Sequence, residues 1–123
     1  MLNFLPAPLL GVLAFLALII NTLFWCLILY LVALAKLLIP IQSWRTHCTR
    51  AAIWLAEAWI SGNSTWMQLT QRTNWQLSGL EGLQQDEWYL VVSNHQSWVD
   101  IFVLQHIFNK RIPFLKFFLK QEL

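Results

Sequence analysis

His95 and Asp100 are the two side chains whose chemistry and spacing stand out. An imidazole beside a carboxylate is the arrangement of a general base. The carboxylate holds one ring nitrogen and fixes the tautomer, and the other nitrogen takes a proton. Five residues apart within a single helix, two side chains point about 140° away from each other. The pair works only if His95 lies ahead of a helix and its ring folds back over the first turn. Ser97 suits the N-cap of that helix, which places Asp100 at N3. The same residues also read as a capping box, Ser-x-x-Asp, in which Asp100 is structural and His95 is an ordinary loop histidine. Spacing leaves both readings open. A metal site is not indicated, because His47 and His106 lack ligand spacing to His95.

The elements around the pair favour such a junction. Trp88-Tyr89-Leu90-Val91-Val92-Ser93 is an unbroken β-rich apolar run, as in a strand buried on both faces. Trp98, Ile101, Phe102, Gln105 and Phe108 then trace one side of a helix ending at Asn109. Upstream, Trp75 and Leu77 alternate with polar residues as in a half-buried strand, and Gly79 and Gly82 mark turns. Downstream, Ile112-Pro113-Phe114 suits another strand, and Leu115 to Leu123 a further helix. Strand and helix in alternation predict an α/β arrangement.

The front of the chain is of another kind. Apolar residues make up 58% of the sequence and charged residues only 11%, yet no charged side chain precedes Lys36. Leu9 to Ala35 is apolar except for Gly11, Asn21 and Thr22. As a helix it reaches about 40 Å, enough to cross a hydrocarbon core of roughly 30 Å once. A signal peptide would carry a basic front and a shorter apolar stretch. A re-entrant hairpin would bend near Asn21-Thr22. Lys36, Arg45 and Arg50 come soon after the run, and by the positive-inside bias they place the back half of the chain in the cytoplasm. From Trp44 to Ile60 an amphipathic helix is expected, with Trp44, Trp54, Trp59 and Trp66 suited to headgroup level or to a packed core. Ser61-Gly62-Asn63-Ser64 reads as its stop. The expected division is a membrane anchor over 1–40, an interfacial helix over 41–62 and a catalytic-domain portion over 63–123. A net charge of +2 does not suggest a nucleic-acid partner. Cys26 and Cys48 form no disulfide framework.

Ser93-Asn94-His95 followed by Asp100, between an apolar strand and an apolar helix, resembles the N-H-x-x-x-x-D block of the glycerolipid acyltransferases. That family includes the bacterial 1-acylglycerol-3-phosphate acyltransferases. Leu80-Glu81-Gly82-Leu83 before the block and Lys120-Gln121-Glu122-Leu123 after it add to the likeness, and the apolar front is similar to a proteobacterial inner-membrane branch. The resemblance implies transfer of a fatty acyl group from acyl-CoA or acyl carrier protein to a lysophospholipid hydroxyl. In that reaction His95 is the base and Asp100 its orienting partner. Asn94 and Lys120 lie on the substrate side, no cofactor is needed, and the membrane lipids are partners. Further family blocks, a Gly…Arg segment, a Glu-Gly-Thr-Arg-type segment and a Pro-containing one, are absent from these residues. Few strands are expected after Gly62, too few to cover the Trp88–Val92 run. On both grounds the sequence reads as truncated, and the 123 residues alone are expected not to transfer acyl groups. The alternative is a small membrane-anchored binding or scaffold protein without catalysis, a reading that leaves the His–Asp junction unexplained.

Overall fold

A computed structural model describes residues 5–71, 73–94 and 96–118. The chain divides into two compact units, Met1–Gln76 and Leu77–Leu123.

The first unit is a helical hairpin. Helix α1 spans Ala7–Leu38, 32 residues. Its start is set by Pro6 at the N-cap and a second proline in the first turn, where the missing N–H costs nothing. Its end is set by Pro40, because the residue before a proline is pushed out of the helical region. Ile39 is accordingly extended, at φ −112° and ψ 104°. Helix α2 spans Gln42–Thr70, 29 residues, and packs against α1. The bend therefore falls at Ile39–Ile41, and α1 runs straight through Asn21-Thr22.

Those two polar residues hold the helices together. The Asn21 amide donates to the Trp59 carbonyl at 3.0 Å and to Asn63 Oδ1 at 2.8 Å, and its oxygen accepts from Trp25 Nε1 at 3.0 Å. Trp59 Nε1 donates to Thr22 Oγ1 at 3.0 Å. Nearer the bend, Lys36 Nζ donates to Thr49 Oγ1 at 2.9 Å, and Trp44 Nε1 donates to the Ala35 carbonyl at 3.0 Å. Pairing of 21 with 59 and 63, and of 36 with 49, fixes an antiparallel register along most of both helices.

The expected helix stop at Ser61-Gly62-Asn63-Ser64 is corrected: α2 continues through it to Thr70. Two causes are visible. Ser61 and Thr65 turn their hydroxyls back onto the carbonyls of Glu57 and Ser61, at 2.8 and 2.9 Å, so neither competes for the helix backbone. Gly62 lies against α1, where a Cβ would come 2.5 Å from Asn21 Oδ1. Packing against α1 thus overrides a locally weak helix former.

The second unit corrects the fold class. The expected α/β arrangement is not formed: the described residues contain three helices and no strand. Trp75, Leu77 and Ile112–Phe114 lie in coil and bends, and Leu115–Phe118 is not helical. The rest of that last expected helix, 119–123, lies outside the described residues. Exposure along Trp88–Val92 does alternate with the period of a strand. Trp88, Leu90 and Val92 are 89%, 80% and 85% exposed, whereas Tyr89 and Val91 are half-buried. A strand is defined by its ladder, however, and among the described residues no backbone hydrogen bond joins 88–92 to another segment. The apolar composition is strand-like, but a single run without a neighbour cannot make a sheet.

Helix α3, Val99–Phe108, agrees with the sequence expectation, as does its end at Asn109. Lys110 takes a left-handed φ of 60°, and the amides of Arg111 and Ile112 close on the Phe108 carbonyl at 3.0 and 3.4 Å. Ile112 and Gln105 are buried beneath that turn. Gln85 Nε2 donates to the Lys110 carbonyl at 2.7 Å, which ties the loop before Trp88 to the end of α3. Gly79 and Gly82 have positive φ, 75° and 90°, as their expected turns require.

Candidate active site

The site is the junction from Ser93 to Asp100. Asp100 sits in the first turn of α3, partly buried, and its carboxylate folds back along the chain. Oδ2 accepts two backbone N–H groups, from Gln96 at 2.6 Å and Ser97 at 2.8 Å. The Val99 N–H donates in turn to Ser97 Oγ at 3.2 Å, and the Asp100 N–H to the Ser97 carbonyl at 3.0 Å. This is the reciprocal bonding of a capping box, so the structural reading of Ser97 and Asp100 is realised. The formal N-cap position falls on Trp98, with φ −57° and ψ −23°, one residue later than expected. Ser97 still provides the side-chain acceptor for the first turn.

The capping box and a catalytic role are compatible. By gripping the two amides that come after position 95, Asp100 fixes where the chain leaves that residue. His95 and Lys120 themselves lie outside the described residues. Asn94 is exposed. The Ser-x-x-Asp spacing implied the bond from the Ser97 amide, whereas the participation of the Gln96 amide was not foreseen from the sequence. Backbone donors at this helix start are occupied by the chain's own side chains, so the amides of Gln96, Ser97 and Val99 are not offered to a substrate anion. Among the described residues no three His, Cys, Asp or Glu side chains come together to hold a metal.

Removing the carboxylate tests the clamp. Asp100→Ala will cost about 1–2 kcal/mol, the usual loss for a helix cap, and will speed hydrogen exchange at the Gln96 and Ser97 amides. Asp100→Asn, whose amide oxygen can accept both bonds, will leave that exchange nearly unchanged.

A second titratable group lies on the same helix. Burial, and then the charge of Arg111, holds the His106 imidazole below the usual histidine pKa. The unfolded chain therefore takes up this proton first as pH falls, so the contribution is complete above the ordinary value of 6.5 and is lost as pH drops through the lower folded value. Thermal unfolding midpoints will fall between pH 7.5 and pH 5, and His106→Gln will flatten that part of the slope.

Comparison with known proteins finds a family likeness over the segment that holds the junction. Residues 74–123 match the family model described as Acyltransferase, a span that contains Asn94, His95, Asp100 and Lys120. No curated protein and no solved structure matches the chain. The segment from Asn74 to Leu123, which holds both the strand-like run and the capped start of α3, is thus similar to the acyltransferase family.

Proposed function

We propose that the acyltransferase segment serves phospholipid synthesis or remodelling at a membrane, passing a fatty acyl group from acyl-CoA or acyl carrier protein to the hydroxyl of a lysophospholipid. The observation that carries this reading is the clamped turn between Asn94 and Asp100, inside the span matched to the family. A glycerol hydroxyl is too weak an acid to attack a thioester unaided. His95 removes its proton as the oxygen attacks the thioester carbonyl, and the thiol leaves as the new ester forms. Asp100 orients the ring and stabilises the imidazolium. No acyl-enzyme is required, so Ser97 is a cap and not a nucleophile. Asn94 and Lys120 are assigned to the substrate side.

The apolar α1 supports membrane anchoring, which brings the site to both lipid substrates. We assign the chain to a bacterial inner membrane with the catalytic segment in the cytoplasm, where acyl-CoA and acyl carrier protein are found. The test is a complete acyltransferase of this family in which residues 74–123 replace its own segment. It would be assayed with labelled acyl donors against a panel of lysophospholipids. Transfer that vanishes in His95→Ala is expected. Transfer that survives that substitution, or that accepts no lysophospholipid, overturns the reading.

A further inference from the structure

Helix α3 is fastened at both of its ends. At the start, Asp100 grips the Gln96 and Ser97 amides. At the far end the Asn109 N–H donates to the Gln105 carbonyl at 2.9 Å, and a left-handed Lys110 turns the chain back. Gln105 and Ile112 are buried at that turn. The Lys110 carbonyl then accepts the Gln85 side chain at 2.7 Å.

Gln85 is itself held in place. The Tyr89 hydroxyl accepts the Gln84 N–H at 2.9 Å and donates to Glu87 Oε2 at 2.9 Å. Tyr89 belongs to the Trp88–Val92 run and lies on its half-buried side. A chain of contacts therefore leads from that run, through Gln84 and Gln85, to the end of α3. Lengths agree with such a closure. The ten residues of α3 reach about 15 Å, and five extended residues reach about 17 Å. A helix that turns back beside the run thus ends level with the start of the run.

A helix tied only by its first turn swings about that turn. The clamped residues Gln96, Ser97 and Asp100 would swing with it, and position 95 lies between them and the run in the sequence. The Gln85 bond acts about 15 Å from that pivot, a long lever arm. Reaction geometry is sensitive on this scale, since a misplacement of about 1 Å by a remote change costs about 10²-fold.

We propose that Gln85 is a positioning residue for acyl transfer: its bond to the Lys110 carbonyl sets the direction of α3, and so presents Asp100 to position 95. Gln85 acts through the helix and touches neither substrate. The bond joins exposed groups and adds only modestly to stability, so its loss redirects α3 more than it unfolds it. The kinetic consequence rests on the general-base role given to His95; the structural one does not.

Gln85→Met keeps the length of the side chain without its donor, and Gln85→Arg restores a donor. In the full 123-residue chain with Cys26→Ala and Cys48→Ala, spin labels on Leu90→Cys and Arg111→Cys, both exposed positions, report the distance between the run and the helix end. A broadened distance distribution in Gln85→Met, narrowed again in Gln85→Arg, is the expected result. An unchanged distribution in Gln85→Met overturns the proposal, and no acyl donor is needed to see it. In the chimera carrying residues 74–123, Gln85→Met is expected to lower kcat about tenfold with little change in KM, a fraction of the sensitivity to misplacement. The acid limb of its kcat–pH profile moves to lower pH, because an imidazolium less well paired with a carboxylate gives up its proton more readily. Gln85→Arg recovers both. A fall in kcat with the acid limb unmoved marks Gln85 as a support of the fold alone and overturns the positioning role.

Discussion

Replacing His95 by alanine will lower acyl transfer by about 10²–10⁴-fold, the range in which a positioned general base contributes. In the chimera carrying residues 74–123 the loss will fall mainly on kcat, because the base acts on the reacting hydroxyl and holds no remote part of either substrate. Asp100 separates two jobs that one carboxylate performs. Asp100→Asn keeps an acceptor for the Gln96 and Ser97 amides, so the turn persists, but the negative charge facing an imidazolium is gone. Asp100→Ala loses both. Equal activity in the two variants, with the turn intact only in Asp100→Asn, would show that the charge outweighs the clamp. Wild-type activity in Asp100→Asn would reduce Asp100 to a helix cap. Kinetics on the three variants, read beside amide exchange, decides among these.

Gly62→Ala will destabilise the hairpin, although the same change in an ordinary helix interior stabilises by about 1 kcal/mol. The new Cβ would lie 2.5 Å from Asn21 Oδ1 and 2.9 Å from Nδ2. An asparagine tip can usually swing aside, but this one is held by Trp25, Asn63 and the Trp59 carbonyl. Giving up those bonds costs about 0.5–1.5 kcal/mol each, so a net loss of about 1–3 kcal/mol is expected. In an Asn21→Ala background the sign reverses and Gly62→Ala becomes stabilising. A double-mutant cycle, read by thermal unfolding in detergent, measures the coupling directly. Additivity of the two changes would show that the contact does not hold the helices in register.

Legibility in the sequence tracks the range of the interactions. Helix α3 and its end at Asn109 were legible because apolar spacing and a terminal asparagine are local signals. The Ser97–Asp100 relation was legible for the same reason. Gly62 was misread because glycine between Ser61 and Asn63 is a stop by local rules, and its partner Asn21 lies in the other helix, far away along the chain. Asn21 and Thr22 stood out as flaws in an apolar run and as the bend of a re-entrant hairpin, yet they lie within a continuous helix and help to set the register of the hairpin. The α/β expectation failed at another level. Trp88 to Val92 has the composition and alternation of a strand, but a sheet needs several such runs side by side, and composition does not supply neighbours.

The bare run from Trp88 to Val92 also bears on how this chain behaves outside a membrane. Trp-Tyr-Leu-Val-Val holds no charge, proline or glycine, and three of its large side chains face water. Short segments of that composition with unpaired backbone are where cross-β self-association begins. Colloidal stability of the purified chain is therefore governed by these five residues as well as by its detergent-seeking front. Leu90→Lys, on the outward side of the run, places a gatekeeper charge where stacking would start.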